Sequence, residues 1–459
     1  MRTLDQILTK KDYSRKTPAS LFYKDSPLWQ RLLTIGCVVF LSGAGLGEWK
    51  VLNGMLGGLP KAITLGVIGL AMLYTLFYPD EKRLRELWKP TLLYMSLMVA
   101  LFFWSMVIWI KSFATVSSMI RSCSKLVFQS IAILTAVALV YLFREKAIEL
   151  FTISICITNG AIMLLCIPEY GVGASIQSLV TCLVTFGDAV GYARQLEIHD
   201  LTFVFGQMIL YYAVFAPRTT RQEKRKRWLY LLLCCWFFLV GMKRIAIPAV
   251  VLFILIALLL RKRKVPSWFY PAVGVCYILF FLVFLYCVRY GIISRLLNSV
   301  GVDMMGRDYL WSMANPYYEF SITYLGHGFE YVDTIIGQWY SAGLINHPYP
   351  FHNDILKVFV EVGFPGFLLW SGIQYVLTPL FWQRYADQET TLLYLSELGY
   401  MTVTYLTDNT AFYFWSTMAL RLVTFAYAME RKKPPEPKVW MPDSRQEMRD
   451  RIRILMKEV

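Results

Sequence analysis

The sequence predicts an all-α membrane protein that crosses the bilayer many times. Of its 459 residues, 57% are hydrophobic and only 17% are charged, a composition too apolar for a soluble domain. The apolar residues fall in runs of about 17–25, the length at which a helix spans the hydrocarbon core. The excess of 46 lysine and arginine residues over 31 aspartate and glutamate residues is typical of cytoplasmic membrane loops, an explanation we prefer to nucleic-acid binding.

Twelve apolar runs are predicted to span the membrane, and charge clusters mark many of their ends. The first 27 residues are polar and contain Pro18 and Pro27, so we expect no cleaved signal peptide before the first span. The predicted spans lie at about 28–47, 61–79, 91–110, 126–143, 148–166, 201–217, 228–243, 245–260, 267–288, 366–382, 391–408 and 411–429.

The distribution of basic residues predicts the orientation. If the N-terminus is cytoplasmic, the basic clusters between these spans fall on the cytoplasmic side, as the positive-inside rule requires. The predicted organisation is a cytoplasmic segment 1–27, a transmembrane domain 28–430 and a basic cytoplasmic tail 431–459. The end of the tail, Arg445 to Val459, is amphipathic and could either lie on anionic lipid or be solvated.

Polar residues are concentrated in one stretch on the predicted outer side, from 289 to 361. Two outer connections are long, at about 167–200 and 289–352, whereas the predicted cytoplasmic connections are short. Such a concentration in an apolar protein predicts a functional site outside the membrane. Three of the four histidines in the chain lie in this stretch, namely His327, His347 and His352.

A short helix, 353–363, is predicted at the outer rim before the tenth span. Asn353 favours an N-cap at its start, and the glycine and proline residues at 363–366 interrupt the helical pattern. Lys357 and Glu361 lie four residues apart on this helix, so their side chains can pair.

His352 is the candidate proton acceptor. Pro348 and Pro350 stiffen the chain before it. A neutral imidazole can take a proton from a hydroxyl group, a role typically worth 10²–10⁴-fold in rate. A histidine that only hydrogen-bonds the loop backbone is the alternative interpretation.

Arginine residues near the outer membrane face are the candidate anion ligands. A guanidinium at this depth needs water, an acidic partner or an anionic ligand, and its planar fork suits a phosphate. We expect this role for Arg244 and Arg307, and snorkelling to lipid headgroups for Lys50, Lys61 and Arg121. Further arginines on the outer side are Arg194, Arg289 and Arg295.

A metal site is the alternative use of the acidic residues and histidines of this stretch. No HExxH, DxD or EF-hand motif occurs, and the nine cysteines lie in or beside apolar runs without metal-ligand spacing. Only composition therefore supports a metal. The acidic candidates are Asp303, Asp308, Asp333, Asp354 and Glu361.

Short motifs follow one another along this part of the chain. They are Gly241-Met242-Lys243-Arg244, Gly306-Arg307-Asp308-Tyr309-Leu310-Trp311, Leu325-Gly326-His327-Gly328-Phe329, His352-Asn353-Asp354-Ile355-Leu356 and Glu361-Val362-Gly363-Phe364-Pro365-Gly366. Their order and location resemble the O-antigen ligase and O-antigen polymerase (Wzy-type) superfamily of bacterial surface-polysaccharide enzymes. The first motif departs from the family pattern, which often has serine where this chain has Lys243. The resemblance covers about 240–370, and the rest of the chain only as a number of spans.

The resemblance implies a GT-C-like glycosyltransferase without a cofactor, a nucleotide sugar or an essential metal. The donor would be an oligosaccharide on undecaprenyl pyrophosphate, with the pyrophosphate held by Arg244, Arg307 and Arg194. His352 would accept the proton of the acceptor hydroxyl as it attacks the anomeric carbon with inversion. Supporting residues implied by the motifs are Asn353, Asp308, Trp311 and Glu361.

Three functions remain open from the sequence. We prefer a polymerase that joins lipid-linked repeat units into a capsule, exopolysaccharide or O-antigen chain at the bacterial cytoplasmic (inner) membrane. A flippase and a chain-length regulator are its candidate partners, and nucleic acid is not expected. A ligase that transfers the glycan to another acceptor is the second function, and a twelve-span transporter is the third.

Overall fold

The structure, a computed structural model, describes residues 28–112, 115–185, 189–301, 304 and 306–431. This part of the chain is helical and contains no β-strand, as predicted. Within hydrocarbon a helix satisfies every backbone N–H and C=O group inside its own segment, so long apolar runs adopt this conformation. The segment 1–27 and the predicted amphipathic tail 445–459 lie outside the described residues.

The chain forms long helices and several short ones. The first ten are α1 (Leu28–Leu46), α2 (Lys50–Leu56), α3 (Leu59–Ala62), α4 (Leu65–Phe77), α5 (Glu81–Ser112), α6 (Val116–Phe143), α7 (Lys146–Tyr170), α8 (Val172–Thr185), α9 (Tyr192–Gln195) and α10 (His199–Leu210). The others are α11 (Arg221–Val240), α12 (Ala246–Arg261), α13 (Phe269–Arg289), α14 (Ile292–Ser299), α15 (Arg307–Ala314), α16 (Tyr331–Ser341), α17 (Asp354–Ser371), α18 (Thr378–Tyr385), α19 (Gln388–Tyr405) and α20 (Phe414–Arg431).

Seven helical segments of the described chain are long and apolar enough to cross a membrane, judged by length and composition. Every predicted span overlaps a helix, but five of the twelve lie on shorter or more polar helices. The number twelve therefore stays a prediction. The seven segments are Leu28–Leu46, Leu59–Phe77, Glu81–Ser112, Val116–Phe143, Lys146–Tyr170, Phe269–Arg289 and Asp354–Tyr385.

The predicted rim helix is continuous with the tenth predicted span. The rim helix and the first part of the span form α17. This helix continues through a π-helical turn, Gly372–Leu377, into α18, which contains the rest of the span. The break predicted at 363–366 is confirmed as a kink, because Gly363 has φ 66° and ψ −173° inside the helix. The helix resumes directly after the kink, so no loop separates the rim from the span.

Several helix ends differ from the predicted spans. Helices α5 and α6 begin well before the apolar runs that they contain, since a helix can continue into the polar zone after it leaves the hydrocarbon. The run predicted at 391–408 stops earlier, because α19 ends at Tyr405. Asp408 therefore lies in the connection between α19 and α20 and not in a span.

Helices from the second half of the chain form the centre of the bundle. Helix α20 packs along α6 and α10, and α19 packs along α12. Phe414 to Met429 of α20 are all buried. By contrast, only 22% of the residues in the most apolar part of Phe269–Arg289 are buried. Exposed residues of this helix such as Leu279 and Val283 provide the apolar surface expected to face lipid.

Candidate functional site

His352 is held in an uncommon backbone conformation directly before α17. Its φ of 53° lies in the left-handed region, which residues other than glycine rarely adopt. Its amide donates a hydrogen bond to the side-chain oxygen of Asn409 (2.9 Å). The indole N–H of Trp311 donates to the carbonyl oxygen of the preceding residue, Phe351 (3.1 Å). Contacts on both sides therefore fix the position of His352.

The start of α17 is tied to the connection between α19 and α20. Asn353 caps the helix, since its side-chain oxygen accepts the amide of Leu356 (2.9 Å), and this confirms the predicted N-cap. The carboxylate of the next residue, Asp354, accepts the amide of Ala411 (2.6 Å). Together with the bond from His352 to Asn409, this contact places residues 406–413 beside the histidine.

Asp408 is the acidic partner of His352. Its Oδ1 lies 3.4 Å from Nδ1 of His352, an ion-pair distance that is longer than a well-formed hydrogen bond. Burial opposes ionisation of the carboxyl group, but the contact with His352 and the charge of Lys243 lower the pKa of Asp408 to about 2. A carboxylate facing Nδ1 favours the tautomer that carries its proton there. Nε2 of His352 is then the nitrogen that can accept a proton.

Lys243 connects this pair to the long segment 167–200, which is predicted to lie outside the membrane. Its ammonium lies 3.8 Å from Oδ2 of Asp408 and 3.0 Å from Oε1 of Glu197. Nε2 of His199 lies 3.4 Å from the same ammonium. Burial, together with the charge of Lys243, lowers the pKa of His199 to about 4, so this ring is neutral at physiological pH. A chain of charged and polar groups thus runs from Glu197 to His352.

The three predicted anion ligands come from different segments. Arg244 follows Lys243 and is exposed, and Arg307 begins α15 one turn before Trp311 and is half-buried. Arg194 is exposed on α9, where its carbonyl oxygen accepts a hydrogen bond from Nζ of Lys50 (3.1 Å). Their part in binding a pyrophosphate stays a prediction.

Arg289 has a different role. One of its nitrogens, Nη1, donates to the carbonyl oxygens of Asn315 (2.8 Å) and Tyr318 (2.6 Å). Its guanidinium also stacks over the Tyr318 ring, 4.7 Å from the centroid. These contacts join the end of α13 to the segment after α15, so Arg289 stabilises the packing of residues 315–318 against α13.

The kink of α17 is enclosed by the glycine turn that was predicted as a motif. The carbonyl oxygen of Glu361, freed by the kink, accepts the amides of His327 (3.0 Å) and Gly328 (2.7 Å). A Cβ atom at Gly326 or Gly363 would collide with the backbone of the opposite segment. Both glycines also have positive φ angles, so the two segments can approach only because these residues lack side chains.

A buried cluster of charges fixes α16 against α17. Lys357 lies 3.3 Å from Glu330, 2.9 Å from Asp333 and 3.9 Å from Glu361, and the last contact confirms the predicted Lys357–Glu361 pair. Lys125 of α6 lies 2.5 Å from Glu330. The side chains of Lys357, Glu330 and Glu361 are at most 5% exposed. This cluster is a second polar centre, formed by side chains from α6, from α17 and from the start of α16.

The other histidines of the predicted stretch have separate environments. A ring nitrogen of His327 lies 2.8 Å from the carbonyl oxygen of Tyr317, and the ring stacks on Tyr331 with centroids 4.2 Å apart. His347 is exposed. Among the described residues, no three histidine, cysteine, aspartate or glutamate side chains are grouped so that they could hold a metal ion. Asp303, one of the metal candidates, lies outside the described residues.

Sequence reasoning missed four members of the site, namely Asp408, Lys243, Glu197 and His199. The apolar pattern alone places Asp408 at the end of the predicted span 391–408. The signal was the polar run Thr407-Asp408-Asn409-Thr410 between two apolar runs, which predicts a turn and not a membrane segment. Lys243 had been noted only as a departure from a family motif.

The fold and the site together define a multi-pass α-helical membrane protein with a cluster of charged side chains at one end of its bundle. Residues 229–371 match the sequence model of the O-antigen ligase family, which supports the predicted resemblance to the O-antigen ligase and polymerase superfamily. The match runs from α11 to the end of α17 and includes Lys243, Arg244, Arg307 and His352. No curated protein matches the chain.

Proposed function

We propose that this protein is a GT-C-like, twelve-span glycosyltransferase that polymerises oligosaccharide repeat units linked to undecaprenyl pyrophosphate. The reaction takes place at the outer face of the bacterial inner membrane, with both termini in the cytoplasm. It inverts the anomeric centre and needs no metal ion. The observation that carries the proposal is the contact of His352 with a buried, ionised Asp408, because His352 lies inside the segment that matches the O-antigen ligase family.

The reaction joins two glycans in one displacement. The hydroxyl oxygen of the acceptor attacks the anomeric carbon of the donor sugar, and the bond from that carbon to the pyrophosphate oxygen breaks. Nε2 of His352 accepts the hydroxyl proton during the attack. Asp408 stabilises the imidazolium that forms and holds the ring in its working tautomer.

The leaving group needs positive charge. The pyrophosphate gains negative charge as its bond to the sugar breaks, so fixed cations beside it lower the barrier. Arg244, Arg307 and Arg194 supply this charge in our proposal. Support comes from their positions, since Arg244 adjoins Lys243 and Arg307 lies on the helix whose Trp311 contacts Phe351.

The grouping of side chains supports an outer location. The site draws residues from five separate connections of the bundle, and in the predicted twelve-span arrangement all five fall on the outer side. Side chains from one side of a membrane are the ones that can meet at one end of a bundle. The five connections contribute Lys50, Glu197, Lys243, His352 and Asp408.

A ligase is the second candidate function, favoured by the description of the matching family as O-antigen ligase. Both enzymes would use the same donor, base and anion ligands. They differ only in the acceptor, which is a second lipid-linked repeat unit for a polymerase and a different glycolipid for a ligase.

The proposal can be tested with purified protein in nanodiscs and a lipid-linked oligosaccharide as the only substrate. A polymerase forms products that grow by whole repeat units, whereas a ligase forms none until a second acceptor is added. We expect His352→Ala to retain donor binding and to lose about 10²–10⁴-fold in turnover, since only proton transfer is removed. A variant that elongates glycan at nearly the wild-type rate would refute the mechanism.

The absence of a metal requirement has its own test. Activity should survive exhaustive chelation of the purified enzyme. A loss of activity that one particular divalent ion restores would contradict the metal-independent mechanism.

A further inference from the structure

Lys243 occupies the centre of the charged chain that ends at His352. Its ammonium lies between two carboxylates from different connections, 3.0 Å from Glu197 and 3.8 Å from Asp408. The lysine side chain is 13% exposed and that of Asp408 is 6% exposed. Burial of both partners strengthens their interaction compared with an ion pair in water.

We propose that Lys243 is a positioning residue for His352, which acts by holding Asp408 in place. This inference rests on the proposed function, because it assigns His352 the role of proton acceptor. Lys243 itself does not touch the reacting atoms. It acts through Asp408, whose Oδ2 faces Lys243 and whose Oδ1 faces His352.

The geometry shows how the effect reaches the histidine. The ammonium of Lys243 lies 3.8 Å from Oδ2 of Asp408, and Oδ1 of the same carboxylate lies 3.4 Å from Nδ1 of His352. A cation on one oxygen limits rotation of the carboxylate. It therefore keeps Oδ1 beside Nδ1 and the imidazole in the tautomer whose Nε2 can accept a proton.

Lys243 also joins the two long outer connections. Glu197 lies in the first of them, whereas His352 ends the second, and Asp408 belongs to a third segment. Without the ammonium, Glu197 and Asp408 would each lose a partner, which costs free energy in a buried site. The titratable and charged groups around the His352–Asp408 pair are Lys50, Glu197, His199, Lys243, Asp354 and Tyr413.

The test compares kcat and KM of Lys243→Met and Lys243→Arg, since a residue that only positions the base changes kcat and leaves KM. Methionine keeps the apolar stem without the charge. We expect Lys243→Met to lower kcat about tenfold or more, while KM for the lipid-linked donor stays near the wild-type value. Lys243→Arg retains the charge, so its kcat should stay close to that of the wild type. If Lys243→Met does not fold, Lys243→Gln replaces it, because glutamine is uncharged and can still hydrogen-bond Glu197.

Lys226→Met is the matched control. Lys226 also pairs with a carboxylate, lying 2.8 Å from Glu149, but it belongs to α11 near its start, in a connection predicted to be cytoplasmic. The kcat and KM of Lys226→Met should match those of the wild type.

The two proposals fail in different ways. An active His352→Ala enzyme would overturn the proposed mechanism itself. If His352→Ala is inactive while the uncharged Lys243 variant keeps the wild-type kcat, only the role of Lys243 is wrong. An equal loss of kcat in Lys243→Arg, or a loss that appears only as a higher KM, would also contradict the positioning role.

Discussion

The Oδ1 atom of Asp408 lies 3.4 Å from Nδ1 of His352, although α17, α18 and α19 separate the two residues in the chain. Two hydrogen bonds hold the segments in register, from the amide of His352 to Asn409 and from the amide of Ala411 to Asp354. The carboxylate is thus placed to hold the imidazole in one tautomer.

Asp408→Asn should lower turnover by roughly 10²-fold or more while donor affinity stays near the wild-type value. The amide can donate to Nδ1 and so favour the tautomer in which Nε2 already carries a proton. Turnover, donor affinity and melting temperature would be measured together. Asp387→Asn is the control, since Asp387 pairs with Arg431 and caps the start of α19, at the opposite end of this helix from Asp408. A fully active Asp408→Asn enzyme would exclude an orienting role.

Arg307→Lys and Arg244→Lys should each weaken donor binding and lower turnover, because an ammonium cannot reproduce the bidentate geometry of a guanidinium. Donor affinity by titration and turnover by product analysis are the measurements. Arg295→Lys is the control, because Arg295 is exposed in the stretch predicted to lie outside and its guanidinium donates to the carbonyl oxygen of Tyr290 (3.3 Å). Unchanged donor affinity in both test variants would remove these arginines from the pyrophosphate site.

Gly363→Ala should destabilise the protein by about 2 kcal/mol or more. The positive φ of Gly363 is unfavourable for alanine, and the added Cβ would collide with the backbone of Tyr324 and Leu325. The melting temperature in detergent is the measurement. Gly372→Ala is the matched control in the same helical segment, since a Cβ there meets no atom within 4 Å. Equal melting temperatures for the two variants would mean that the glycine turn does not require this close approach.

Asp333→Asn should lower the melting temperature at neutral pH. Burial opposes ionisation, but the Lys357 and Lys125 ammonium groups lower the pKa of Asp333 below its ordinary value of 3.8. A carboxyl group with a depressed pKa contributes stability above that ordinary value and loses the contribution as the pH falls further. The difference from the wild type should therefore shrink below about pH 4. A difference that is constant from pH 7 to pH 3 would show that the charge is not responsible.

Single cysteines at Ser341 and Lys224, in a background without cysteine, test the predicted orientation. Both residues are exposed. The positive-inside rule places Ser341 outside and Lys224 in the cytoplasm, so an impermeant thiol reagent should label intact cells only at position 341. Both positions should react after the cells are opened. The reverse pattern in intact cells would place the site on the cytoplasmic side.

Local features could be predicted from the sequence because neighbouring residues determine them. The helical class follows from apolar runs that must satisfy their own backbone groups. The N-cap at Asn353, the kink at Gly363 and the Lys357–Glu361 pair each depend on residues at most four positions apart. The motifs also located the stretch that matches the O-antigen ligase family.

The sequence by itself determined that this protein is an α-helical membrane protein, and it located the stretch in which His352 is the candidate base. Only the tertiary structure decided that Asp408, Lys243 and Glu197 lie in one chain of contacts with His352. These residues come from three connections far apart in the chain, and no local spacing relates them to His352. Their meeting depends on how the helices pack, since α20 must lie against α6 and α10 before residues 406–413 can reach the start of α17.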